Sequence, residues 1–222
     1  MKRVLCAAIH PDDETLGCGG TLLRHKAQGD EIHWLLMTNV HEGGRWPADF
    51  VVRRQREIAQ VTERYRFDGF HPLDYPTTTL DARPFGEIVT AVGKVIEQVQ
   101  PEVIYLPNRA DVHTDHQVTF RAVYNCTKHF RYPSIRRVLM YETLSETEFA
   151  PALRENAFVP NVFVDISPHF EEKLEIMQIY ASEVMPPPGP RSLAAIEALA
   201  RLRGSRIGAT FAEAFMLLFE MS

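Results

Sequence analysis

Arg3-Val4-Leu5-Cys6-Ala7-Ala8-Ile9, followed at once by His10-Pro11-Asp12-Asp13-Glu14, is the stretch on which the fold turns. An apolar run of six residues that ends in a polar cluster is too short for the hydrophobic part of a signal peptide and suits a buried first strand. Thr15–Gln28 then reads as a helix closed by Gly29, and Glu31–Val40 as a second strand. The alternation continues with a helix over Ala48–Arg66, a strand near Gly69–Pro72, a helix over Pro84–Gln100 stopped by Pro101, and a strand at Val103–Leu106. A polar turn from Asn108 to His116 leads into a helix to about His129, and strands follow near Arg137–Tyr141 and Asn161–Ile166. A helix from Pro168 to about Ser182, another over Ser192–Arg203 and a final apolar segment complete the chain. Strands alternating with helices predict an α/β fold, a Rossmann-like three-layer sandwich on a mostly parallel sheet of order 3-2-1-4-5.

The chain has 222 residues, 45% hydrophobic and 24% charged, which suits residues 1–222 folding as a single domain. Such a length buries about 70–75% of the unfolded surface, so the core needs no staples. The net charge is −5 and the basic residues are scattered, which argues against nucleic acid as a partner. No apolar run approaches the ~20 residues of a bilayer span, so no membrane insertion and a cytoplasmic location are expected. Cys6, Cys18 and Cys126 lack metal-knuckle spacing and read as buried, reduced thiols. Gly17-Cys18-Gly19-Gly20 falls inside the first helix and reads as small residues for close helix–sheet packing rather than a phosphate loop.

Ligands of parallel α/β sheets bind outside the carboxyl ends of the strands. Two such loops hold the densest polar clusters, His10–Glu14 after the first strand and Asp111–His116 after the fourth, and the expected strand order makes these strands neighbours. Imidazole and carboxylate together suit a divalent first-row metal, and three protein ligands with an open position is a catalytic zinc arrangement. His10, Asp13 and His116 supply that set. Asp12, diverging from Asp13, is the candidate general base. His113 is the candidate donor to the tetrahedral oxyanion, oriented or kept protonated by Asp115. The competing reading of Asp12 or Asp13 is a cap on the first amides of the helix.

The two clusters resemble the signature of the LmbE/PIG-L-like de-N-acetylases, whose motifs [AP]-H-P-D-D-E and H-x-D-H stand here as Ile9–Glu14 and His113–His116. Similarity extends to Arg53–Ile58, Tyr180-Ala181-Ser182-Glu183, Arg203-Gly204 and Ala212–Phe215. The resemblance implies one Zn2+ per chain, or another divalent first-row metal, on His10, Asp13 and His116. It implies Asp12 as base and His113 as the polarising group with Asp115 behind it. It also implies a small N-acetylated amino sugar or glycoconjugate precursor as substrate. Ile9 replaces the usual small residue or proline, and Asp111 stands where some members carry a tyrosine near the substrate.

Arg45, Trp46, Arg53, Arg109 and Asp111 are the candidate substrate contacts, by stacking or bidentate hydrogen bonds. The Pro186–Pro190 stretch is either a rim over the site or a contact in a homo-oligomer. Two alternatives stand beside deacetylation. One is a two-metal phosphoesterase using Asp111 and Asp115 as further ligands. The other is a catalytically silent sugar-binding protein.

Overall fold

A computed structural model describes residues 1–43 and 45–222. Strands β1 (Arg3–Ala8), β2 (Glu31–Asn39), β3 (Gly69–Pro76), β4 (Val103–Pro107), β5 (Arg137–Tyr141), β6 (Val162–Asp165) and β7 (Ala212–Glu220) form one sheet of order β3-β2-β1-β4-β5-β7-β6. The helices are α1 (Asp13–Ala27), α2 (Ala48–Tyr65), α3 (Phe85–Val99), α4 (Thr114–Asn125), α5 (Phe170–Ile179) and α6 (Leu193–Ser205). Pairing is parallel from β3 through β5, and β7 runs antiparallel between β5 and β6. The final apolar segment is thus a strand slotted inside the sheet.

The layers follow from strand periodicity. Val4, Cys6 and Ala8 face one core with α1, α2, α5 and α6, whereas Leu5 and Ala7 face the other with α3 and α4. Successive side chains point to opposite faces, so a strand covered on both sides reads as an unbroken apolar run. Several helix boundaries differ from expectation by two residues or more. α1 starts at Asp13, α4 stops at Asn125 and α5 stops at Ile179.

Helix α1 bends at Cys18, where φ is −147° and ψ is 20°. The groups freed by the bend are satisfied by side chains of β7 and of α5, which packs on the same face. Glu213 on β7 accepts the Gly20 and Thr21 amides at 2.9 and 2.7 Å, and buried Lys173 on α5 donates to the Leu16 carbonyl at 3.2 Å and to Glu213 at 2.7 Å. The glycines sit where helix and neighbours touch. A Cβ at Gly17 would lie 2.2 Å from the Tyr141 ring, and one at Gly20 would lie 2.7 Å from Ile166. Cys6, Cys18 and Cys126 are buried free thiols.

Candidate metal centre and active-site cleft

From β1 the neighbouring strands lead away in opposite chain directions, β2 on one side and β4 on the other. The loops after β1 and β4 therefore part and leave a crevice. In the first loop the Asp12 carbonyl accepts the Thr15 and Leu16 amides at 3.0 and 2.8 Å, while its side chain makes no capping bond. Its carboxylate is thus free of the capping role open to it in the sequence. Asp12 has φ 145° and ψ −25°, a region unfavourable for an L-residue that costs about 1–3 kcal/mol. Asp13 turns the other way, and its Oδ2 accepts the His10 amide at 2.8 Å.

In the second loop His113 precedes α4 and accepts the Asp115 amide on Nδ1 at 3.1 Å. With that nitrogen an acceptor, the proton of neutral His113 sits on Nε2. Burial and the neighbouring His10 push His113 down to about 4, so it is a neutral donor at pH 7. The Asp115 carboxylate accepts the Thr78 and Leu80 amides at 2.6 and 3.0 Å and lies 3.4 Å from His10 Nε2. Asp115 therefore stands behind His10 and does not protonate His113. The spacing H-x-D-H carries no information on which imidazole the aspartate turns to.

His116 is fully buried. Its Nδ1 lies 2.9 Å from Asp111 Oδ2, and Thr147 Oγ1 donates to Asp111 Oδ1 at 2.6 Å. Asp111 is wholly buried and is thereby corrected from a substrate contact to the partner that orients His116. Among the described residues His116 Nε2 has no hydrogen-bond partner, and it points at Asp13 Oδ2, 3.4 Å away, which in turn lies 3.6 Å from His10 Nδ1. One ligand atom each from His10, Asp13 and His116 falls within 4.8 Å of the others. A buried imidazole lone pair with no donor, beside a carboxylate and a second imidazole, fits a divalent cation.

The two neighbouring aspartates are driven apart electrostatically. Burial and the Asp13 charge raise Asp12 well above the usual carboxylate range, whereas His116 and His10 hold Asp13 below it despite burial. Burial opposes protonation of His116, but Asp13 and Asp111 outweigh it and raise its pKa. A metal ion must displace that proton to bind.

Above these groups lies a cleft of about 250 Å³ lined by His10, Asp12, Asp13 and His113 at its floor. Arg45 and Trp46 are on its wall with Phe50, the Arg45 guanidinium 4.8 Å from the centre of the Trp46 ring. Arg53 and Arg109 are not. Arg53 is exposed beside Glu57, and Arg109 turns away to the Glu155 carbonyl. The wall is instead lined by Arg54, four residues beyond Phe50 on one helical face, and by Ser145, Glu146, Glu183 and Arg191. Arg54 is a buried side chain that pairs with Glu183 and donates to the Pro11 carbonyl at 2.9 Å. Arg191 meets Glu183 Oε2 at 3.3 Å and Ser145 Oγ at 3.0 Å. Glu183 and Arg191 flank the proline-rich stretch, so its two ends contribute to the rim.

Residues 5–127, more than half of the chain, match the family described as PIG-L, GlcNAc-PI de-N-acetylase. The chain belongs to the PIG-L family. A diacetylchitobiose deacetylase of Thermococcus kodakarensis is 26% identical over 191 residues, 82% of this chain and 70% of its own length. A probable N-acetyl-alpha-D-glucosaminyl L-malate deacetylase of Bacillus anthracis is 26% identical over 196 residues, 82% of this chain and 81% of its own. A conserved protein of Thermus thermophilus superposes with a TM-score of 0.78 at 26% identity, over 100% of this chain and 97% of the other. The PIG-L match contains both loops of the cleft floor, while the rim residues Glu183 and Arg191 lie beyond it. No helix among the described residues is long and apolar enough to cross a membrane.

Proposed function

We propose that the chain is a metal-dependent N-deacetylase that hydrolyses the acetamide of an N-acetylglucosamine-type amino sugar or its conjugate, releasing acetate and the free amine. The observation that carries this reading is the buried His116 Nε2, unpartnered among the described residues and aimed at Asp13, beneath a cleft floor where the Asp12 carboxylate is free of any cap. His10, Asp13 and His116 hold one ion per chain, and two imidazoles with a carboxylate suit zinc. When bound, such an ion supplies Lewis acidity and a water of lowered pKa. Asp12 takes the proton of the attacking water, a transfer that its raised affinity for protons favours, and returns it to the leaving amine. His113, neutral with its proton on Nε2, donates to the oxygen of the tetrahedral intermediate.

A second His10–His113–Asp115 grouping also lies within ligand distance, but it shares His10, and both Asp115 oxygens already accept backbone amides. The Asp111 oxygens are likewise taken by His116 and Thr147. The two-metal phosphoesterase is therefore disfavoured. The test is amine release from a panel of N-acetylated sugars, nucleotide sugars and glycosides, before and after chelation. Release lost on chelation and restored by about one zinc per chain supports the reading. Release indifferent to chelation, or phosphate-ester cleavage with about two metals per chain, contradicts it.

A further inference from the structure

Asp12 occupies a backbone conformation that an L-residue does not keep unaided, and the groups that keep it there are visible. Both hold the Pro11–Asp12 peptide: Arg54 Nη1 donates to its carbonyl oxygen, that of Pro11, at 2.9 Å. At the other edge of that peptide Glu14 Oε2 accepts the Asp12 N–H at 3.2 Å. Glu14 is 0% exposed and lines no part of the cleft, so it is out of reach of a substrate. Its other oxygen, Oε1, accepts Thr15 Oγ1 at 2.7 Å and Tyr180 Oη at 2.9 Å, and Tyr65 Oη donates in turn to Thr15 at 3.0 Å. Three donors thus converge on one buried carboxylate.

A carboxylate in the first turn of a helix has an ordinary purpose, the free amides and dipole of that turn. Glu14 serves a different group. The amide it accepts belongs to Asp12, ahead of the helix, and its remaining capacity goes to hydroxyls of Thr15 on α1 and of Tyr180 at the end of α5. Burying a charge so completely is costly, and an apolar residue of similar volume would avoid that cost. The Asp12 amide explains why a strong acceptor stands there.

We propose that Glu14, held by Tyr180 and Thr15, is a positioning residue that locks the Asp12 peptide so that the base carboxylate faces the cleft while Asp13 faces the metal ligands. The inference rests on the reading of Asp12 as the base. It assigns Glu14 no contact with substrate or metal.

The test compares metal-loaded Glu14→Gln, Tyr180→Phe and Asp12→Asn with the unaltered protein. Glu14→Gln is expected to lower kcat about 10–100-fold, the effect of misplacing a reacting group by about 1 Å, with KM and metal per chain unchanged. In metal-free protein, the Asp12 amide proton should move upfield in the NMR spectrum of Glu14→Gln, because its carboxylate acceptor is gone. Tyr180→Phe removes one donor and should lower kcat about 2–10-fold. Unchanged kcat in Glu14→Gln, or a loss that merely follows lost metal, overturns the proposal. Should Glu14→Gln fail to fold, unchanged kcat in Tyr180→Phe overturns it. Full turnover in Asp12→Asn defeats the base assignment and the lock together, whereas an inactive Asp12→Asn beside a fully active Glu14→Gln defeats the lock alone.

Discussion

The floor and the rim of the cleft are built on different principles. At and beneath the floor, His10 and buried His116 are each backed by a carboxylate, Asp115 and Asp111, and each carboxylate is itself held by further donors. The rim is assembled from Arg45, Trp46 and Phe50, from Arg54, and from Ser145, Glu183 and Arg191, contributed by segments far apart in the chain. Geometry of the floor is fixed by buried bonds that substrate does not touch, which is what metal and proton chemistry requires. Among the described residues, the rim side chains other than Arg54, which also holds the Pro11 carbonyl, make no bond to those of the floor, and we propose that substrate choice resides at the rim.

The contrast can be broken most severely at His116. His116→Ala removes a ligand atom and strands the buried Asp111 charge, and should cost about 3–5 kcal/mol of stability together with metal binding, read by denaturant unfolding and metal analysis. Arg54 and Arg53 test whether one residue of helical phase separates architecture from surface. Arg54→Ala, which leaves Glu57 and Glu183 without their buried partner, should also cost about 3–5 kcal/mol. Arg53→Ala should stay within about 0.5 kcal/mol in the same unfolding measurement. Equal effects of the two would remove the distinction.

These pairs also mark how far the sequence could be read. His10, Asp12, Asp13, His113 and His116 were legible because each cluster is local, and one rule about strand order brings the two loops together. The five parallel strands followed from alternation of apolar runs and amphipathic helices. The place of β7 did not, since an apolar strand carries no mark of which neighbours it will separate. Arg53 is a candidate contact read from the sequence, whereas the wall position belongs to Arg54, which shares a helical face with Phe50 and Glu57. Asp111 and Asp115 face imidazoles that only side-chain direction could identify, and Glu183 and Arg191 reach the cleft through contacts that leave no local pattern.

Smaller effects sharpen the same contrast. Asp111→Asn keeps the shape behind His116 but weakens its orientation, and should lower metal affinity about 10–100-fold, measured by competition with a chelating dye. At the rim, Trp46→Ala should leave kcat and metal content intact and raise KM about 2–10-fold, the worth of one stacking contact.

The most direct test of the account is made on Asp12. Acetate release and bound metal are measured together for the zinc-loaded protein and for Asp12→Ala, using an N-acetylglucosaminide that the unaltered protein turns over. The account predicts about one zinc per chain in both and a rate lowered about 10²–10⁴-fold in Asp12→Ala, the usual worth of a general base. Full turnover by Asp12→Ala with its zinc in place would contradict it.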